Sequence, residues 1–535
     1  MPNAAELLRD GKTKELWQKY CGFINLSIEQ FMTIQRQLLL EQLELLKKCE
    51  LGSKVMRGAK PSTIEEFRQQ VPLTTYADYA PYLTEKRQDV LPEKPILWMR
   101  CTGNYGKYRV KWVPVTQRVY QEAGGLVFTA AVFASCKKRG DIALKDHDKL
   151  LHALAPPPYA TGLMAHMVDD VFRFALLPHP DLAKKMTFEE KIQQGLELAL
   201  SDGLDLLGAL NSVLVKVGEQ FSQEINNNGN TLSLLSKPKT LPRLGKGWLK
   251  SKLGRRPILP KDVWALKGIV GGGTDSSIYR EKVREMWGRY PLEIYGCTEN
   301  IILAMQTWDY QAMTFVPHLS FLEFIPADEY HRWAMDTTYQ PSTILLDEVK
   351  PGQSYALVIT NFHGGAFIRY VIGDMIKIAS LRNEKLNIDI PQMVFDRRAD
   401  GLIDIAGFAR LTERTIRKAI ENSEVAYEDW VVRKEAKEKP VLSLYLELKN
   451  GDKRDEDQLA ATIHEQLRKL DSDYADLESM IGLKPLKVTL LPEGAFQEYI
   501  SRQRAAGADL AHLKPPHVNP SDGIIDTLLN CVNSK

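Results

Sequence analysis

Cysteine is scarce, and none of it is arranged for bridging or metal capture. Six cysteines in 535 residues (Cys21, Cys49, Cys101, Cys136, Cys297 and Cys531) stand far apart, with no CxxC pair and no histidine at finger spacing. That argues against a disulfide framework and against a structural zinc site. Neither sign of charge is in excess: 70 Lys and Arg against 68 Asp and Glu leave a formal net charge of +2. Such a balance does not suit a chain that coats nucleic acid or lies on anionic lipid through bulk charge, although it leaves room for a local anion site. No stretch reaches 18 uninterrupted apolar residues; the run 126–136 is too short to span a bilayer, and 196–217 carries Asp202 and Asp205. The N-terminal MPNAAELLRDGKTKELW is charged and lacks the apolar core of a signal peptide. Internal repeats and long low-complexity segments are missing too. The expectation is a reduced, cytoplasmic protein with neither nucleic acid nor a membrane among its partners.

What is present suits a large globular chain. The hydrophobic share is 44 % and the charged share 26 %, and the length alone suggests three or four domains. Residues 24–46 carry apolar positions at three- and four-residue steps, the pattern of an amphipathic helix. In PSTIEEFRQQVPLTTYADYAPYLTE (61–85), Ser62 is placed to cap a helix with Glu65 three residues on, and Pro72 ends it. From Pro95 onward, short apolar runs broken by Gly, Thr and Pro alternate with amphipathic stretches, including 118–135 and 188–221, which argues for α/β layers. Residues 237–256 hold eight basic side chains and no acidic one; a solvated loop or helix face is favoured over a phosphate or nucleic-acid patch. After residue 396, the runs 425–434 and 440–449 read as paired strands. A helix over 455–470, a strand over 486–491 and a helix over 495–504 follow, making a compact second domain. The boundary is expected in DRRADG (396–401), a charged turn ending in Gly.

Four segments carry candidate chemistry. In CTGNYGKYRVKWVPVT (101–116), Gly103, Gly106 and Lys107 could wrap a phosphate, although the P-loop spacing is missing and a tight turn serves as well. In 268–300, Gly271, Gly272 and Gly273 would let a backbone approach a flat ring or phosphate. A helix and the strand 292–295 lead from there to Gly296, Cys297, Thr298 and Glu299. A carboxylate and a hydroxyl just past a strand end stand where α/β sheets bind ligands, and Glu299 could hold Mg²⁺ against phosphate oxygens; a Gly turn with a capping Thr is the plain alternative. In 355–378, Gly373-Asp374 reads as a turn between strands whose Asp could accept both hydroxyls of a ribose, or as an ordinary hairpin. The segment 395–416 is the expected hinge, or simply a linker.

The order of these elements (glycine loop, YGCTEN, RYVIGD, RRADGLIDIAGFARLTE) resembles the acyl-adenylate-forming superfamily of acyl-CoA synthetases, adenylation domains and luciferase. Within it, PSTIEEFRQQVPLTTYADYAPYL, HLSFLEFIP, GGAFIRYVIGD, LDSDYADLESM and LPEGAFQEY are similar to the auxin-responsive-promoter family of acyl-acid amido synthetases. The similarity runs from about residue 15 to the end. It implies an α/β fold in which a large layered N-terminal adenylating domain (1–396) is joined to a smaller, mobile α+β C-terminal domain (397–535). It also implies ATP-dependent activation of a small carboxylic acid to an acyl-adenylate, with Mg²⁺, then transfer to an amine such as an amino acid.

By matching motif positions, Thr102, Gly103, Gly106 and Lys107 would lie in the phosphate loop, and Gly271, Gly272, Tyr295 and Gly296 would frame the adenine. Thr298 would contact the α-phosphate, Glu299 would coordinate Mg²⁺ and Asp374 would hold the ribose. Arg398 would assist at the hinge, and Lys514, in AHLKPPHVNP, would be the cation that swings over the adenylate. The phosphate loop departs from the family in Asn104, Tyr105 and Lys107, and Pro516 stands where the family often has Arg. Two alternatives stay open: a thiol acceptor such as CoA, giving a thioester ligase, and a nucleotide- or adenylate-binding protein with weakened catalysis.

Overall fold

The computed structural model describes residues 3–101, 110–183, 186–227, 240–273, 276–336, 338–398, 402–406, 409–436, 439–449, 454–505 and 515–530. The architecture is α/β. The chain divides into two compact units, the division falling between Arg397 and Arg398.

The larger unit opens with helices. Ser27 caps the helix Ile28–Leu46 through a capping box with Gln30, and its stripe of Phe31, Met32, Leu39, Leu43 and Leu46 is buried. Gln35 and Gln42 lie on the same buried stripe because their amides do the work of a neighbouring strand. Gln35 donates to the carbonyls of Pro317 (2.7 Å) and Ser320 (2.8 Å) and accepts from the Leu322 amide (2.9 Å). Gln42 donates to Gly365 O (3.0 Å) and accepts from Gly364 N (2.8 Å). Every polar atom is used, so burying two amides carries no unpaired group. The next helix, Ile64–Gln70, is capped by Thr63 and not by Ser62: Thr63 Oγ1 accepts from Glu66 N (3.1 Å), and the Ser62 amide donates to Glu66 (2.7 Å). The cap is therefore displaced by one residue and the reciprocal box is not closed, because Thr63 holds the extended backbone that an N-cap needs while Glu66 reaches back to Ser62.

An antiparallel hairpin of β1 (Leu97–Arg100) and β2 (Trp112–Val115) precedes the main sheet. That sheet comprises β3 (Lys149–Ala153), β4 (Ala175–Leu177), β5 (Leu206–Ala209), β6 (Gly268–Gly271), β7 (Leu292–Tyr295), β8 (Ala304–Met305), β9 (Met313–Phe315), β10 (Ser320–Pro326), β11 (Ser354–Asn361), β12 (Tyr370–Ser380) and β13 (Gln392–Arg398). Their order is β10-β11-β12-β13-β9-β8-β7-β6-β5-β3-β4. From β4 to β7 neighbouring strands run parallel, whereas β7–β8, β8–β9, β9–β13, β10–β11 and β11–β12 are antiparallel. β7 is thus the junction of two halves of different hand-over.

One element was hidden in the sequence. The stretch 188–221 is not one helix: the helix Phe188–Asp202 ends, β5 enters the centre of the parallel half, and a second helix spans Asn211–Asn227. A parallel strand covered on both faces has no polar alternation, so its apolar residues continue the helical periodicity on either side.

The smaller unit begins with the hairpin β14 (Leu402–Ile405) and β15 (Ala409–Thr412), then the helix Glu413–Asn422 capped by Thr412. The strands β16 (Tyr427–Ala436) and β17 (Pro440–Leu448) pair antiparallel. The helices Glu456–Leu470 and Ser472–Ile481 carry the chain to β18 (Leu486–Leu490), which joins β17 in parallel. Val431 and Tyr445 of the sheet pack with Ala495, Phe496, Tyr499, Ile525 and Leu528 in a common core. Among the described residues no helix is long and apolar enough to cross a membrane.

Candidate functional site

The turn after β7 closes on itself. The amides of Asn300 (3.1 Å) and Ile301 (2.6 Å) both donate to Cys297 O. Ile301 adopts φ +63°, a conformation that a β-branched side chain takes only under constraint. Gly296 is obligatory there, since a Cβ at that position would overlap the Ile301 carbonyl oxygen. Neighbouring strands hold the turn: Asn361 Nδ2 donates to Glu299 O (3.0 Å) and to Ser320 Oγ (3.2 Å), and Ser320 Oγ donates to Asn300 Oδ1 (2.8 Å).

The constraint aims Glu299 inward. Its Oε1 accepts from Lys111 Nζ at 3.0 Å and from Tyr370 Oη at 2.7 Å, and Lys111 Nζ also donates to Tyr370 Oη at 2.8 Å. All three side chains are buried. Burial by itself would raise the Glu299 pKa; the Lys111 charge and the two hydrogen bonds outweigh it and hold the carboxyl at about 2, against an ordinary 4.5. Burial, with the nearby carboxylates Glu299 and Asp374, pushes the Cys297 thiol far up, so it stays protonated. Met99, Val113, Val119, Ile301 and Leu319 line an apolar recess that reaches Glu299.

A second pair completes the cluster. Tyr295 Oη donates to Asp374 Oδ2 at 2.9 Å, and both side chains are buried. Asp374 does not stand at a turn between strands, as its sequence suggests, but inside β12. The β11–β12 register shifts between Ala356 and Val358, and Gly373 takes φ +86° in the irregular stretch opposite. An irregularity of this kind redirects a strand side chain without ending the strand. β12 lies four places from β7 in the sheet order, which in a flat sheet would separate them by about 19 Å. The two hydrogen bonds between Tyr370 or Asp374 and the β7 segment therefore require the antiparallel half to curl back over the junction. Next to Tyr370, Arg369 ties β12 to β10 and to the N-terminal helices: its guanidinium forms a buried pair with Glu323 (2.8 and 3.1 Å) and donates to the carbonyls of Arg68 (2.7 Å) and Val71 (2.6 Å).

Gly271 ends β6 and Gly272 follows it, its carbonyl accepting from the amide of the buried Asn211 (3.2 Å). A Cβ on Gly271 would strike Asn211 Oδ1. Both polar atoms of the Asn211 amide, Ser212 Oγ and Ser276 Oγ are buried with no hydrogen-bond partner among the described residues. Orphaned polar atoms at the carboxyl ends of parallel strands are what a polar ligand would satisfy.

The structure thus brings Tyr295, Gly296, Thr298, Glu299 and Asp374 together around the turn, with Gly271 and Gly272 at the end of the adjoining strand β6. Arg398 is the last residue of β13, at the division between units. Thr102, Gly103, Gly106, Lys107 and Lys514 lie outside the described residues. The chain is described again from Pro515. In the smaller unit His517 bridges Glu413 (2.7 Å) and Asp429 (2.8 Å), stacks on Trp430 and is bonded to β16 through Val432 N (2.7 Å). Lys111, Tyr370, Asn361 and Asn211 were not singled out as site residues in the sequence. The available signal for Lys111 was a lysine in the strand-like alternation before WVPV; Tyr370 lay in plain view in RYVIGD.

The GH3 family N-terminal domain matches residues 21–153, the GH3 family central domain 313–398 and the GH3 family C-terminal domain 412–522, together more than half of the chain. Among curated proteins, the jasmonoyl–L-amino acid synthetase GH3.5 of Oryza sativa subsp. japonica is 26 % identical over 301 residues, 53 % of this chain and 50 % of that protein. The 4-substituted benzoates–glutamate ligase GH3.12 of Arabidopsis thaliana is 25 % identical over 240 residues, 42 % and 39 % of the two chains. The chain spans half or less of the length of the curated relatives it matches. Among solved structures, an acyl acid amido synthetase described as AtGH3.15 in complex with 2,4-DB superposes with a TM-score of 0.53 at 17 % identity, covering 93 % of both chains. A 2-hydroxyisobutyryl-CoA ligase in complex with 2-HIB-AMP and CoA gives 0.54 at 13 % identity over 86 % of both. These superpositions establish a shared fold.

Proposed function

The chain belongs to the GH3 family, and from that premise we propose that it is an ATP-dependent acyl-acid amido synthetase. In this reading the carboxylate of a small acid attacks the α-phosphorus of ATP, pyrophosphate leaves and an acyl-adenylate forms. An amine, taken to be that of an amino acid, then attacks the acyl carbon and AMP departs. A carboxylate is a poor electrophile, so the protein must neutralise phosphate charge and hold the acid in line.

The observation that carries the reading is the buried, ionised Glu299 clasped by Lys111 and Tyr370 beside the Tyr295–Asp374 pair. Tyr295, Gly271, Gly272 and Gly296 frame the adenine, Asp374 takes the ribose hydroxyls and Thr298 meets the α-phosphate. Lys107, Arg398 and Lys514, the last on the smaller domain that we bound at 397–535, supply further positive charge.

The residues present fit Mg²⁺ held jointly with a nucleotide. Glu299 is a single ionised carboxylate, and among the described residues no group of three candidate ligands forms an all-protein cage. When bound, the ion would offset phosphate charge. A cytoplasmic setting agrees with the free thiols of Cys21, Cys49, Cys136 and Cys297.

The test is acid-dependent exchange of labelled pyrophosphate into ATP over a panel of aromatic and aliphatic acids, followed by comparison of amino acids with CoA as acceptors. Exchange that is lost in Glu299→Ala, with amide as product, is expected. A folded protein that binds ATP in calorimetry yet exchanges with no acid would overturn the enzyme reading; thioester as the sole product would replace the amine acceptor by a thiol.

A further inference from the structure

We propose that the helix Leu241–Gly254 docks this protein on an anionic lipid surface. The near-zero net charge is a whole-chain quantity, and it conceals one strongly polarised element. Residues 240–256 contain Arg243, Lys246, Lys250, Lys252, Arg255 and Arg256 and no Asp or Glu. Ten large apolar side chains are exposed among the described residues, and four of them are on this one helix: Leu241 (44 %), Trp248 (53 %), Leu249 (57 %) and Leu253 (78 %). At 100° per residue these four fall within an arc of about 140°. They form a stripe, where singly scattered apolar residues would need no explanation.

The helix is fixed to the body by its opposite side. Leu244 and Gly247 are buried, Gly247 facing Ile258 and Val263 so closely that a Cβ there would lie 3.1 Å from Val263. Arg243 donates to the carbonyls of Leu200 (2.8 Å) and Ser201 (2.7 Å), and Arg256 pairs with Asp262 (2.6 Å). These contacts use two of the six cations for anchoring. Lys246, Lys250, Lys252 and Arg255 remain exposed beside the stripe. Lys252 Nζ sits 3.8 Å over the Trp248 ring, which holds the indole outward with its cation alongside.

An exposed Trp and three Leu ringed by Lys and Arg is the composition of a helix that lies in the headgroup region, apolar side chains entering the acyl boundary while the basic ones meet anionic headgroups. Charge decides the occupant. A second copy related by a two-fold axis would set the same four cations against each other. A nucleic acid would satisfy the cations but leave the Leu and Trp side chains with nothing apolar to enter. An anionic bilayer satisfies both.

The experiment is co-sedimentation of the full chain with phosphatidylcholine vesicles and with vesicles that also contain phosphatidylserine. Binding to the second and not the first is expected, weakening as salt rises, with each of Lys246→Gln, Lys250→Gln and Lys252→Gln reducing it roughly five-fold. The triple variant Trp248→Ser, Leu249→Ser, Leu253→Ser should stay in the supernatant with an unchanged thermal melt, because these side chains are exposed in the folded chain. The proposal is overturned if wild type fails to sediment with phosphatidylserine vesicles, or if the apolar triple variant binds as wild type does. It is equally overturned if that variant instead abolishes self-association in ultracentrifugation, or if the lysines retain a nucleic acid while the vesicles remain unbound.

Discussion

Replacing Lys111 with Met removes the cation from a buried carboxylate and keeps nearly the same volume. In the folded protein Glu299 is held at about 2, against an ordinary 4.5, a gap worth roughly 3 kcal/mol of stability at neutral pH. Because the folded-state value is depressed, that stabilisation is present above pH 4.5 and disappears as the pH falls through about 2. Without Lys111 the desolvation that opposes ionisation is no longer outweighed, so the Glu299 pKa should rise. The variant should be less stable by about 3–5 kcal/mol at pH 7, the cost of stranding one member of a buried ion pair. The difference from wild type should narrow as the pH falls through that raised value and go on narrowing toward pH 2, where wild-type Glu299 is protonated too. Urea unfolding of wild type, Lys111→Met, Glu299→Gln and the double variant between pH 7 and pH 3 measures both effects. The double variant, which leaves no unpaired charge, should recover much of the loss. Additive single effects, or a Lys111→Met cost below about 0.5 kcal/mol at pH 7, the size of an ordinary surface change, would refute the reasoning.

Three further outcomes are expected. Gly296→Ala must displace the Ile301 carbonyl and with it Glu299; a shift near 1 Å should lower kcat/KM in pyrophosphate exchange about 100-fold. Tyr295→Phe deletes the 2.9 Å bond to Asp374 and should raise KM for ATP roughly ten- to a hundred-fold, in line with about 1.5–3 kcal/mol for a lost bond to a charged group, while kcat changes little. Hydrogen bonding to Asp429, ahead of Glu413, raises the His517 pKa above 6.5 despite partial burial. Its contribution to the smaller unit is therefore complete below pH 6.5 and lost as the pH climbs through the raised value. Thermal melts should show this loss in wild type and not in His517→Gln.

Much of the molecule was legible without coordinates. Short-range rules place a helix within 24–46, the strand ending at Tyr295 and the paired strands of the smaller unit, because breakers and periodicity act over a few residues. The glycine of YGCTEN, the carboxylate beside it and the Asp of RYVIGD were recognisable as site residues from the order of their motifs alone. The same local reasoning erred by one residue at Thr63, and it passed over β5, whose burial on both faces erases the alternation that marks a strand.

Tertiary structure decided which groups meet. Lys111 and Glu299 are 188 residues apart, and nothing in either segment specifies the other. Their contact depends on the segment before β2 meeting the turn after β7, and Tyr370 from β12 bonds to both side chains. The same is true of the helix Leu241–Gly254, whose basic composition was plain in the sequence; that its apolar stripe faces outward was settled by Gly247 and Leu244 occupying the inner side. Sequence determines local conformation and the supply of chemical groups, whereas burial, pairing and therefore charge state arise from packing between segments that the chain itself keeps far apart.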